Sequence, residues 1–95
     1  MAHVIVSYKH RGLKRFFEAG TERGLRADQI QKIRLILGRL NVSRSPLDMN
    51  LPGLFLHELS GKRKGAWSVR VSGNWRITFA FQGQDAINVD LEDYH

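Results

Sequence analysis

Apolar and polar positions alternate most regularly between Gly61 and Phe81, in Gly-Lys-Arg-Lys-Gly-Ala-Trp-Ser-Val-Arg-Val-Ser-Gly-Asn-Trp-Arg-Ile-Thr-Phe-Ala-Phe. Side chains alternate sides along a strand, so a period of two predicts one greasy and one polar face. Trp67, Val69 and Val71 share a face on the first run, with Ser68, Arg70 and Ser72 opposite. On the second run Trp75, Ile77, Phe79 and Phe81 oppose Arg76, Thr78 and Ala80. Ser72-Gly73-Asn74 lies between them. A two-residue loop pairs Ser72 with Trp75 and sets the faces out of phase. A three-residue loop pairs Val71 with Trp75, Val69 with Ile77 and Trp67 with Phe79, and it uses a left-handed residue where Gly and Asn are at home. The apolar pattern therefore selects the three-residue loop. That register sets Arg70 directly across from Arg76, at a cost of roughly a few tenths to 1 kcal/mol. Two readings are open: Asp90 and Glu92 on the last strand neutralise the pair, or an external anion does.

The remaining pattern surrounds this hairpin. His3 to Tyr8 reads as a strand with Val4, Val6 and Tyr8 on one side. Leu13 to Ala19 reads as a short helix with Leu13, Phe16 and Phe17 on one stripe, ended by Gly20. A second helix runs from about Asp28 to Leu40, with Ile30, Ile33, Leu37 and Leu40 at helical spacing and Ile36 beside them. Gln29, Lys32, Arg34 and Arg39 are expected on or beside its wet face. Asn41 to Pro52 is a linker, long for a small domain, and is either ordered by packing or mobile. Leu54 to Leu59 is a strand candidate carrying His57 and Glu58. Ser60 to Gly65 is a basic loop. Ala86 to Leu91 is a last strand, with Ile87, Val89 and Leu91 inward and Asn88, Asp90 and Glu92 on the polar face. This order predicts a single α+β domain over residues 1–95: a small antiparallel sheet with two N-terminal helices packed on one face. Trp67 and Trp75 lie on the face the helices must cover and read as core.

Length and composition narrow the function. Ninety-five residues, 42% hydrophobic, suit one domain with one core. No run of about 18 apolar residues suggests a membrane helix, and Met-Ala-His-Val-Ile-Val-Ser lacks the pattern of a signal peptide. With no cysteine, disulfides and thiolate metal sites are excluded, and a cytoplasmic location is expected. The net charge is +6, but four of the nine acids lie in the last eleven residues. Residues 1–84 carry all fifteen basic residues against five acids, a net +10. That imbalance points to a polyanion such as nucleic acid. Ten of the fifteen are Arg, whose planar fork suits phosphate.

The residues able to do chemistry form a set without metal-ligand spacing: His57, Lys62, Arg63, Lys64, Arg70, Arg76, Asp93, Tyr94 and His95. No phosphate-cradling glycine motif or serine triad is readable. Cleaving RNA without a metal or cofactor requires a base for the 2′-hydroxyl proton, cations for the phosphorane and an acid for the leaving 5′-oxygen. His serves as base or acid near neutrality, and Arg stabilises phosphorane charge. Blander readings stand beside these: a packed or surface His57, a solvated loop at Lys62 to Lys64, and a frayed carboxy-terminal tail.

Over its whole length the chain resembles HigB-type toxins of the RelE/ParE toxin–antitoxin superfamily. The resemblance is carried by Tyr8-Lys9-His10-Arg11-Gly12-Leu13, Glu58-Leu59-Ser60-Gly61-Lys62-Arg63-Lys64-Gly65, Trp67-Ser68-Val69-Arg70-Val71, Asn74-Trp75-Arg76-Ile77 and the terminal Asp93-Tyr94-His95. It implies a small ribonuclease that needs no metal, cleaves mRNA in the ribosomal decoding site against ribosomal RNA, and is neutralised by a helix-turn-helix, HigA-like antitoxin. It also implies catalytic roles for His95, Tyr94, Asp93, Arg76 and His57. Ser60 stands where some members have Lys, and Ser72 where some have Arg; Arg63 and Arg70 look like substitutes. Lys62 and Lys64 join Arg70 as expected phosphate contacts. Two other readings remain: a ParE-like toxin that poisons gyrase without catalysis, since fold does not fix function, and a plain nucleic-acid-binding module.

Overall fold

The computed structural model describes residues 5–93. Two helices, α1 (Arg11–Ala19) and α2 (Ile30–Asn41), precede four strands: β1 (His57–Glu58), β2 (Ala66–Ser72), β3 (Trp75–Gln82) and β4 (Asp85–Asp93). The strands form one antiparallel sheet in the order β1-β2-β3-β4. Leu13 and Phe16 of α1, with Ile30, Ile33, Ile36, Leu37 and Leu40 of α2, are buried against Val69, Val71, Ile77, Phe79, Ala86 and Val89. The helices cover one face, as the amphipathic patterns require. Trp67 and Trp75 pack against this core, half-buried.

His10 starts α1: its Nδ1 accepts the Leu13 N–H at 3.2 Å, satisfying one of the orphan donors of the first turn. Gly20, at φ +78, ends it in the left-handed conformation. Ahead of α2, Ala27–Gln29 form a 3-10 turn. Gln29 is 1% exposed rather than on the wet face. It lies four residues before Ile33, on the apolar stripe itself, and its Nε2 donates to Ser72 Oγ at 2.9 Å. The linker after α2 is ordered by packing. Ser43 Oγ donates to Arg39 O at 2.8 Å, Pro46–Met49 make a 3-10 turn, and Met49 is buried in the core.

Four expectations about strands are corrected. The hairpin turn between β2 and β3 has two residues, with Ser72 opposite Trp75. The pairs Val69–Ile77, Trp67–Phe79 and Arg70–Arg76 nevertheless form, because a bulge absorbs Val71 between Arg70 and Ser72 and returns the faces to phase. In β4 a second bulge falls between the pairs Thr78–Asp90 and Ala80–Ile87, with Asn88 left-handed at φ +57. Ala86 and Val89 are therefore buried, and Ile87 shifts to the side of Ala80. Among the described residues, the segment before α1 makes two isolated bridges, Ile5–Ala86 and Tyr8–Val89, both parallel. Ile5 is the buried residue and Val6 faces out, so Val6 and Tyr8 do not share a side; Val4 lies outside the described residues. Finally, Leu54 to Leu59 pairs as a strand only over His57–Glu58. Phe55, at φ +52, breaks the extended run, although Leu54 O still accepts the Arg70 N–H at 2.7 Å.

Candidate functional site

The face of the sheet away from the helices is open and polar. Partners in an antiparallel pair share a side, so the register gathers His57, Ser68, Arg70, Arg76, Thr78, Asp90 and Glu92 there. The basic loop folds over them. Gly61–Arg63 form a 3-10 turn bounded by Gly61 at φ +66 and Gly65 at φ +97, and Glu58 Oε2 accepts the Gly65 N–H at 3.3 Å. The loop thereby carries Arg63 to Glu92. Its Nη1 and Nη2 meet Oε1 and Oε2 at 2.9 and 2.6 Å, the paired geometry that a guanidinium and a carboxylate favour. Thr78 Oγ1 donates to Glu92 Oε2 at 2.5 Å. The Arg63 hydrogen bonds hold the Glu92 carboxyl below its usual value of 4.5; partial burial opposes this, and the Thr78 hydroxyl adds to it.

The carboxylates do not bridge the opposed arginines. Glu92 serves Arg63, and Asp90 Oδ1 accepts the Leu91 N–H at 2.9 Å. Arg70 instead places its guanidinium carbon 5.7 Å from the centre of the Phe55 ring, within cation–π range. Arg76 is half-buried, and its Nη1 is fully buried with no hydrogen-bond partner among the described residues. A buried charged donor left unsatisfied is costly. Of the two readings of the Arg70–Arg76 pair, neutralisation by Asp90 and Glu92 is therefore set aside.

Two concavities lie along this surface. One, of about 480 Å³, is lined by Phe55, Leu56, His57, Leu59, Ser68 and Arg76. The other, of about 410 Å³, is bordered by Lys9, Lys62, Arg63, Lys64, Thr78 and Asn88, among others. The expected site residues thus divide. His57 and Arg76 share one cleft, and Arg63, Lys62 and Lys64 share the other. Arg70 lies over Phe55, which lines the first. Asp93 is exposed opposite Trp75, in the alternate phase from Arg76 and Glu92. Tyr94 and His95 lie outside the described residues. Tyr8 is raised to about 12, chiefly by burial and further by the Glu18 charge, which keeps its phenol neutral. No group of three His, Asp or Glu side chains among the described residues is placed to hold a metal, and no helix among them is long and apolar enough to cross a membrane.

The sequence pattern offers Glu92 only as a counter-ion for Arg70 and Arg76, and it does not single out Phe55. One signal was available for Phe55: Leu54-Phe55-Leu56 is three apolar residues in a row, which a one-sided strand cannot bury together.

Comparison with known proteins agrees with this architecture. Residues 6–95 match the family described as RelE-like toxin of type II toxin-antitoxin system HigB. The chain is also similar to the endoribonuclease HigB of Proteus vulgaris, 40% identical over 92 residues, which cover 97% of this chain and 100% of that protein.

Proposed function

This chain belongs to the HigB-like family of RelE-like toxins and is the toxin of a type II toxin–antitoxin system, and from that premise we propose that it is a metal-independent endoribonuclease acting on mRNA held in the ribosomal decoding site. The relative named as an endoribonuclease supports the activity. The observation that carries the site is Arg76: it lines a cleft with His57, and its buried Nη1 has no hydrogen-bond partner among the described residues. A phosphate entering that cleft meets the Arg76 side chain that lines it.

The chemistry follows from the groups at hand. A base takes the proton of the 2′-hydroxyl, and the freed oxygen attacks the adjacent phosphorus. The bond from phosphorus to the 5′-oxygen breaks as an acid protonates that oxygen, leaving a 2′,3′-cyclic phosphate and a 5′-hydroxyl. His57 and His95 are the candidates for acid and base, since imidazole exchanges protons near neutrality. Arg76 stabilises the extra charge of the phosphorane. Arg63, held in a fixed orientation by Glu92, which the Thr78 hydroxyl braces in turn, presents the basic loop to the neighbouring phosphates with Lys62 and Lys64, while Arg70 extends the phosphate track. Asp93 orients His95 or Arg76, and Tyr94 stacks on a base or holds the tail. A domain this small gains from a ribosome that holds both partners still, because orientation removes much of an activation barrier. The antitoxin partner that the family implies is, in this reading, a helix-turn-helix protein.

Mapping mRNA 5′ ends in a translating extract tests the proposal. The toxin should create new ends within coding sequence, a chelator should leave them in place, and His95→Ala should abolish them. DNA breaks with intact mRNA would favour gyrase poisoning instead.

A further inference from the structure

Phe55 is a large aromatic residue that folding alone does not account for. It is 64% exposed, although its neighbour Leu54 is buried in the core. Its φ of +52 lies in the left-handed region, which a bulky side chain rarely occupies. An exposed ring on strained backbone is a combination that packing does not reward, and such strain collects at functional sites. The position is specific as well. Phe55 lines the cleft that holds His57, Ser68 and Arg76, and Arg70 sits over its ring. Arg76, in the same cleft, has a buried donor with no acceptor among the described residues.

We propose that Phe55 is a base-stacking platform for the RNA: one nucleobase beside the scissile phosphate lies on the ring, which Arg70 braces from the other side, while Arg76 takes the phosphate. The inference rests on the ribonuclease reading given above and adds the residue that contacts a base. Single-stranded RNA is held in this way, by unstacked bases on aromatic and guanidinium planes with cations along the backbone. A ring contributes to every base but favours those with the larger π-surface, so Phe55 also biases which nucleotide flanks the cut.

Phe55→Gly separates this role from a structural one. Glycine accepts a positive φ without strain, so the variant should melt at or above the wild-type temperature. Stacking one base on an aromatic ring is worth roughly 10- to 100-fold in binding, so cleavage in a translating extract should slow by about that factor, with weakened nucleotide preference at one position next to the cut. Phe55→Trp should keep rate and preference. If Phe55→Gly cuts the same sites at the wild-type rate, the platform is overturned while the ribonuclease reading stands. A variant that unfolds, or that loses only antitoxin binding, overturns it too. A wild-type protein that cuts no mRNA removes both readings.

Discussion

At Glu92 a guanidinium, a hydroxyl and partial burial meet on one carboxylate. The guanidinium and hydroxyl favour the charged form and burial opposes it; the balance lowers the carboxyl below 4.5. A carboxylate depressed in the folded state adds stability that is fully present above its unfolded value and is lost as pH falls through the folded one. Arg63 is 42% exposed, so screening limits the pair to about 0.2–1 kcal/mol. Glu92→Gln should therefore lower the melting temperature by about 1–8 °C at pH 7. Melts from pH 7 to pH 3 should bring the two proteins together as the wild type loses its advantage. The sequence showed that Arg70 and Arg76 must face each other, because that follows from the period of two. It did not show which acid serves which arginine. Arg63 and Glu92 are 29 residues apart and meet only because a glycine-bounded loop folds over the sheet.

Among the elements, the hairpin from β2 to β3 shows what a hydrophobic pattern decides. Alternation specifies which residues share a face, and Val69, Ile77, Trp67 and Phe79 pair as it requires. It does not specify how the phase is kept. A three-residue loop and a two-residue loop with a bulge put the same side chains inside, and only the backbone at Val71 distinguishes them. Asn88 repeats the lesson in β4, where a bulge moves Ile87 off the core side and Ala86 onto it. Gly73, at φ +54 with open space where a Cβ would stand, supports the tighter turn. Gly73→Ala meets no neighbour, so its cost is backbone alone, about 1–2 kcal/mol. Thermal unfolding should show a drop of about 4–16 °C, without a change of cleavage sites. The α2 stripe was legible from its spacing. Gln29 was not, because its polar side chain masked a position that the spacing places inside.

For the molecule as a whole, one face of the sheet is spent on the helices, and the other gathers the cations of a strongly basic chain. The α+β class, the covered face and the arginine-lined side were all readable from order, period and charge. The two clefts were not, since they arise where the loop at Gly61–Arg63 and the bend at Phe55 stand above the sheet. The central claim is that this open face handles phosphate through Arg76, whose Nη1 has no partner among the described residues. The rate of mRNA cleavage by Arg76→Ala in a translating extract tests it most directly, with a melting curve to show that the variant is folded. Losing one such charge-stabilising donor lowers rates by about 10²–10³, and a loss of that size with a folded protein is the expected result. Cleavage by folded Arg76→Ala at the wild-type rate would contradict it.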